Sequence, residues 1–431
     1  MKCRYLSVLF LMTTFFTNAQ DNFLPCDEEL VTVDENVLKT YEMYETQAQK
    51  EYDNYIRSVK SLWSGDSILT DTQNQWVEYS PDFQSRSVVD FKTGKVTVSV
   101  VMKPDENDSL LNKKMNDAMG RMLTSRGTTC SYFSLVDSSQ TLSEVPLMEG
   151  LVDLSRLEIK DPNAQQTTGK KRHFGNNSKD AKSTIYLTSN SGMSDEQNRE
   201  VAQTIVAKML ASGSQTRERS PLLFFPRDGG EPFSDGETCS IVSLQMNLVS
   251  SDLGSQAELY KKYVDKYGNQ RNVEKALIYA VMEKESNFNP KATSRCPAYG
   301  LMQIVPKTAG LAAYRYVYDE DVIPTSSYLY VPKQNVELGV AYLRMLMDRF
   351  KSVTDEDCRR LCVIVAYNAG AGNVSRSFTG GTSLAKAIPF INSMSYAELM
   401  KHLSTRMSSA EARNYVVKVS ELREKYLKKL K

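Results

Sequence analysis

The sequence predicts an α+β protein in two parts: an amino-terminal mixed α/β-sheet domain over residues 20–254, then an all-α domain over 255–431. Three observations carry this division. Before Gly254, strand-like alternation is interleaved with helical spacing, which implies a compact sheet-and-helix unit. Beyond it the apolar residues keep helical steps to the end of the chain, with Ser-x-x-Glu helix starts at Ser395 and Ser408. The charge also changes sign there. Residues 20–254 hold 24 Lys+Arg against 35 Asp+Glu, a balance of −11, whereas 255–431 hold 27 against 17, a balance of +10.

The elements follow in order. Residues 34–60 form a long helix, with Asp34 as N-cap and Val37, Tyr41, Tyr44, Ala48, Tyr52, Tyr55 and Val59 at steps of three or four. Its tyrosine stripe suits core or interdomain packing better than carbohydrate binding. Ser87–Phe91 and Lys95–Met102 form a hairpin through Thr93-Gly94, followed by a helix carrying Leu110, Leu111, Met115, Met119 and Met122. The polar stretch 161–182 is a loop, Ser183–Thr188 a strand, Ser194 opens a capped helix reaching about Leu210, and Ile241–Leu248 is a last strand.

With 431 residues, 41% hydrophobic and 24% charged, the chain can bury more than one core and has the composition of an ordinary soluble protein. The start differs. Lys2 and Arg4, the apolar run Tyr5–Phe16 and small residues at Thr17-Asn18-Ala19 form a signal peptide over 1–19, so the mature chain is expected to be exported. No cysteine stands at the cleavage point to take a lipid. The expectation is a periplasmic protein, soluble or peripherally attached to the envelope, and a peripheral association with membrane or cell-wall protein stays compatible with the sequence. Beyond the leader remain Cys26, Cys130, Cys239, Cys296, Cys358 and Cys362. An even number in an exported chain permits disulfides, among them Cys296 to Cys358 or Cys362, and burial as plain thiols is an equal alternative. No metal site is expected, since no Cys-x-x-Cys exists and His173 and His402 lie far from any cysteine cluster. Nucleic acid is excluded as a partner, because no basic run is interleaved with aromatics.

The chemistry centres on Glu285. Val273, Ala276, Leu277, Ala280 and Val281 mark the apolar stripe of a helix ending near Ser286, and Glu285 falls four residues after Val281 on that stripe, while Glu283 points elsewhere. A carboxyl against apolar neighbours resists ionisation and can remain an acid near neutral pH.

Around it stand Glu285-Ser286-Asn287-Phe288-Asn289-Pro290, Ser294, Gly300-Leu301-Met302-Gln303, Asn335-Val336-Glu337-Leu338-Gly339 with Tyr342-Leu343, Ala366-Tyr367-Asn368-Ala369-Gly370-Ala371-Gly372, and Arg413-Asn414-Tyr415-Val416. In these ordered blocks the chain resembles the lytic murein transglycosylases of the soluble lytic transglycosylase, lysozyme-like type. More loosely, Tyr52-Asp53-Asn54-Tyr55, Val59–Trp63 and the stretch around Arg86 resemble the domain preceding the catalytic module in one membrane-bound branch of that family.

The resemblance implies an all-α lysozyme-like catalytic domain and an exported enzyme acting on peptidoglycan glycan strands. It implies Glu285 as acid and then base, attack by the muramyl 6-hydroxyl on its own anomeric carbon, a 1,6-anhydromuramyl product, and no metal or organic cofactor. Ser294 is expected to bind the muramyl acetamido group, and Gln303, Tyr342, Tyr367, Asn368 and Tyr415 to line the saccharide groove or orient Glu285. Tyr342 and Tyr415 also suit plain helix packing, and Asn368 a helix end. Met302 is expected in the core. Two rivals remain open: a hydrolase recruiting Asp319, Glu320 or Asp321 to activate water, and an inactive wall-binding scaffold.

Overall fold

The computed structural model describes residues 33–63, 68–126, 146–149, 151–152, 192–224, 233–248, 255–294 and 297–431. The leader, Cys26, Cys130, Cys296, the 161–182 loop and the Ser183–Thr188 strand lie outside the described residues.

Helix α1, Glu35–Lys60, is capped by the Asp34 carboxylate, which accepts from Asn36 N at 2.8 Å. At 26 residues it spans about 39 Å. That length lets it serve two parts of the molecule. Its carboxy-terminal turns and Trp63 pack on one face of an antiparallel sheet, with Val59, Tyr55, Tyr79, Val88, Val101 and Ile241 in one cluster. Its amino-terminal turns reach the helical region, where Tyr41 packs with Leu311 and Ile323, and Tyr44 hydroxyl meets Ser326 Oγ at 2.9 Å. The tyrosine stripe is therefore packing surface, as its spacing suggested.

The sheet has the order β1-β2-β3-β5-β4, all neighbours antiparallel: β1 Gln75–Tyr79, β2 Ser85–Asp90, β3 Lys95–Met102, β4 Thr216–Phe224 and β5 Phe233–Asn247. Alternation on β3 sends Val96, Val98, Val100 and Met102 to one face. There they meet Leu111, Met115, Met119 and Met122 of α2 (Asp108–Thr124) and Val201, Ile205 and Val206 of α3 (Asp195–Ala211). The sequence reading missed β1 and β4. The Thr-Arg-Glu-Arg-Ser-Pro start of β4 has too little apolar alternation to announce a strand.

From Ser255 the described chain is mainly helical: α4 Ser255–Leu259, α5 Lys261–Arg271, α6 Lys275–Ser286, a short π-helix Pro306–Gly310, α7 Leu311–Tyr318, α8 Ser326–Tyr330 and α9 Pro332–Arg349. Then follow α10 Glu356–Ala369, α11 Ala371–Thr379, α12 Leu384–Asn392, α13 Tyr396–Arg406 and α14 Ala410–Lys429. The apolar stripe of α6 understated its burial. Every residue from Ala276 to Met282 is buried, so α6 is a central helix wrapped by others rather than an amphipathic one with a wet face.

One further expectation needs correction, and one open alternative is decided. The Ser408-x-x-Glu411 pattern does not form a capping box: Ser409 is the N-cap, accepting from Glu411 N and Ala412 N, which leaves the Glu411 carboxylate for another partner. Cys358 and Cys362 are free buried thiols on α10, so neither is bridged to Cys296. Cys362 is sealed inside the helical core, and burial pushes the Cys358 thiol up to about 11.

Candidate active site

Glu285 occupies the last turn of α6 and keeps part of its surface open, whereas Ser286 beside it is fully buried. Ser286 Oγ donates to Met282 O at 3.0 Å and Leu301 O at 2.8 Å, stapling the helix end to the Gly-Leu-Met-Gln turn. Past the helix, Asn287 and Phe288 take successive left-handed conformations with φ of 48° and 64°. Such backbone is costly outside glycine and persists only where surroundings fix it. Phe288 is buried among the rings of Tyr260, Tyr279 and Tyr426.

The carboxyl has one close protein partner in hand. Tyr415 hydroxyl, from the fully buried side of α14, donates to Glu285 Oε1 at 2.6 Å. Burial pushes the Glu285 pKa up to about 7; the Tyr415 hydrogen bond and the Lys284 cation pull the other way, and Glu411 adds to the rise. Desolvation wins because it acts on the whole carboxylate, while a single neutral donor returns only part of the lost hydration.

The Gly-Leu-Met-Gln turn is built to a tight tolerance. Gly300 has φ 76°, and a Cβ there would collide with Leu329 O and the Asn335 amide, so both conformation and space require glycine. Asn335, fully buried on α9, uses its whole amide: Oδ1 accepts from Met302 N at 2.8 Å, and Nδ2 donates to Tyr299 O and Leu329 O at 2.8 and 2.7 Å. Met302 is core, filling the space that the absent Cβ of Gly339 leaves.

The expected site residues separate into four sets. Tyr415 touches the acid directly. Tyr367 donates its hydroxyl to Met302 O at 2.7 Å, packs edge-on to Tyr342 at a centroid distance of 5.6 Å, and lies close enough to Tyr415 to raise its pKa. Asn368, one residue before the end of α10, donates to Glu411 Oε1 at 3.0 Å. Ser294 and Gln303 belong to the adjoining loop: Ser294 N donates to Ala298 O, and Gln303 Nε2 donates to Ala292 O and Gly300 O at 2.9 and 3.0 Å. Gln303 thus braces the loop backbone with its nitrogen.

Asp321 pairs with Arg315, and Glu283 is tied to Lys425 at 2.8 Å and to Tyr426 hydroxyl at 2.5 Å. Glu283 is thus a tether between α6 and α14 rather than an idle surface group. The sequence reading missed Asn335, Ser286 and Glu411 as parts of the site. An asparagine on the buried face of an apolar helix was the available signal for Asn335. Among the described residues, no group of three or more His, Cys, Asp or Glu is arranged to hold a metal ion, and no helix is long and apolar enough to cross a membrane.

An acid seated at the end of a buried helix, inside an all-α domain that follows an antiparallel sheet, is a group that can donate a proton near neutral pH. The known relatives give that acid its particular setting. Residues 262–388 match the Transglycosylase SLT domain, and residues 32–152 match the Membrane-bound lytic murein transglycosylase C N-terminal domain. A membrane-bound lytic murein transglycosylase C of Klebsiella pneumoniae is 28% identical over 376 residues, covering 87% of this chain and 88% of the relative. Its counterpart in Actinobacillus pleuropneumoniae is 28% identical over 375 residues, covering 86% and 85%. Among solved structures, an inactive mutant of the lytic transglycosylase Slt from Pseudomonas aeruginosa aligns at 25% identity and a TM-score of 0.31, over 39% of this chain and 24% of that one. In both of its parts the chain is similar to lytic murein transglycosylases, and it is a peptidoglycan lytic transglycosylase. Tyr415 and Glu411 lie beyond the residues that the Transglycosylase SLT domain matches.

Proposed function

We propose that this exported enzyme cleaves the β-1,4 bond between N-acetylmuramic acid and N-acetylglucosamine, with Glu285 as the single acid and base. The observation that carries this is the Glu285 carboxyl, pushed up to about 7 by burial and aimed by Tyr415. At neutral pH about half of such a group is protonated. Glu285 gives its proton to the leaving glycosidic oxygen as the C1–O4 bond breaks through an oxocarbenium-like state. The muramyl 6-hydroxyl then bonds to C1 and returns its proton to Glu285, which leaves a 1,6-anhydromuramyl end and consumes no water. Ser294 holds the acetamido group, while Gln303, Tyr342, Tyr367 and Asn368 shape the groove around the acid. The amino-terminal domain, residues 20–254, and the catalytic domain, 255–431, work as one envelope enzyme.

A second reading rests on Glu411, which faces Glu285 closely enough to raise its pKa. If that carboxylate activated water, the enzyme would be a hydrolase. Mass spectrometry of digested murein decides between them, since the anhydro product is lighter by one water. Glu285→Gln keeps shape but cannot deliver a proton, and is expected to lower cleavage by about 10²- to 10⁴-fold. Near-normal cleavage by that variant would remove Glu285 from the mechanism.

A further inference from the structure

The last four carbonyls of any helix lack partners within it, and in α6 these include the carbonyl of Glu285 itself. Glu283 O accepts from Asn287 N at 3.0 Å and Ser286 O from Asn289 N at 2.9 Å. The Glu285 carbonyl is served from far away in sequence: Gln73 Nε2 donates to it at 2.6 Å. Gln73 stands in a turn closed by reciprocal bonds, Thr72 N to Gln75 O at 3.0 Å and Gln75 N to Thr72 Oγ1 at 3.1 Å. That turn is fastened to the sheet through Phe91 N to Asn74 O at 2.9 Å. Its neighbours grip the strained segment after the acid. Asn74 Oδ1 accepts from Asn287 Nδ2 at 2.5 Å, and Thr72 O accepts from Asn289 Nδ2 at 3.1 Å.

From this geometry we infer that Gln73, in the amino-terminal domain, is a positioning residue for Glu285, holding the backbone of the acid in register with the scissile oxygen. The inference rests on the reading of Glu285 as the acid. Three groups of one turn, on Thr72, Gln73 and Asn74, meet Asn289, Glu285 and Asn287 at and just past the α6 terminus, which is a docking contact rather than a chance touch. Glu285 lies on the final helical turn, where fraying is easiest, and small displacements of a catalytic group are costly in rate. The sheet therefore supplies what the helix end lacks. The groups facing the Glu285 carboxyl are Lys284 from its own helix and Tyr415 and Glu411 from α14, and Gln73 approaches only the backbone side.

The test uses the full-length chain with purified murein as substrate. Gln73→Met keeps length but removes the donor, and kcat is expected to fall about tenfold with KM within about twofold. The alkaline limb of its pH profile should move to lower pH, because a loosened carboxyl regains water. Gln73→Lys retains a donor suited to a helix carboxy terminus and should recover kcat at its own pH optimum to within about threefold of wild type. Circular dichroism of each variant fixes the folded fraction. Wild-type kcat and an unmoved limb in Gln73→Met, beside an inactive Glu285→Gln, would overturn the positioning role. So would a Gln73→Lys variant as slow as Gln73→Met, or losses that only track the folded fraction. Activity in Glu285→Gln would instead sink the acid assignment on which the inference stands.

Discussion

Glu285 is held where its charged form is disfavoured, and this has consequences for both stability and rate. Below about pH 4.5 the carboxyl is protonated in folded and unfolded chains alike, so it carries no penalty. As pH rises from there through 7, the unfolded chain ionises first, and the folded state loses up to about 3 kcal/mol relative to it. Glu285→Gln removes that penalty while keeping an acceptor for Tyr415. The inactive variant is therefore expected to be more stable than wild type by about 2–3 kcal/mol well above pH 7, and equal to it well below 4.5, as read by urea denaturation at the two extremes. Equal stability at high pH would mean that the carboxyl is better hydrated than its surroundings imply. Tyr415→Phe tests the opposing contribution. Its hydroxyl favours the charged carboxylate, so its loss raises the Glu285 pKa further, and the alkaline limb of activity should move to higher pH. That direction is opposite to the shift expected for Gln73→Met, which separates loss of a charge-stabilising donor from loss of backbone support.

At the level of elements, the Gly-Leu-Met-Gln turn is held against α9 by one amide. Asn335→Ala leaves Met302 N and Leu329 O without their partner in a buried setting, and leaves Tyr299 O with Ile304 N alone. With about 1–3 kcal/mol for each stranded group, partly offset by relaxation, the variant should lose about 3–5 kcal/mol in denaturant unfolding. Asn335→Asp preserves the Met302 contact but offers oxygen to two carbonyls, and should be no better. A loss under about 1 kcal/mol for Asn335→Ala would show that the turn is held mainly by packing. Glu283→Gln also belongs here. The sequence set Glu283 off the stripe that carries Glu285, and this change breaks the ion pair with Lys425 that joins α6 to α14. With Lys425 41% exposed, the cost should stay within about 1 kcal/mol and leave the pH profile unmoved.

Across the whole molecule, the two parts are joined by α1 and by the turn at residues 71–74. Lys291, 1% exposed and in the loop after the acid, faces Asp71 at 3.9 Å. Burial raises the Asp71 pKa, and Lys291 with Val77 N counters it. Lys291→Met leaves the Asp71 carboxylate with the Val77 amide but no counter-charge, so it should destabilise by about 3 kcal/mol at neutral pH, less at acid pH where Asp71 takes a proton, and Asp71→Asn should restore much of the loss. Both tryptophans, Trp63 and Trp76, sit in the amino-terminal part, so their fluorescence reports that part while far-ultraviolet dichroism reports mainly the helices. The two transitions should coincide in wild type and separate in Lys291→Met. Separate transitions in wild type would show that the contact does not couple the two parts.

The local rules of the chain were enough for several features. Asp34 capping α1, the β2–β3 hairpin, the Ser194 and Ser395 capping boxes and the helical carboxy-terminal part all follow from near neighbours in sequence, because caps, turns and periodicity are short-range physics. The same reasoning placed Glu285 at the end of an apolar helix. It failed where partners are distant. Strand β4 is stabilised by pairing with β5 rather than by its own polar sequence, and the Ser408 pattern yielded to an Asn368–Glu411 contact between α10 and α14. Tertiary structure alone brought Tyr415 to the carboxyl across 130 residues and Gln73 to its carbonyl across 212. Sequence can nominate an acid, since burial along a helix is periodic; the groups that set its proton affinity and hold it still are selected by chain packing, which has no period to read.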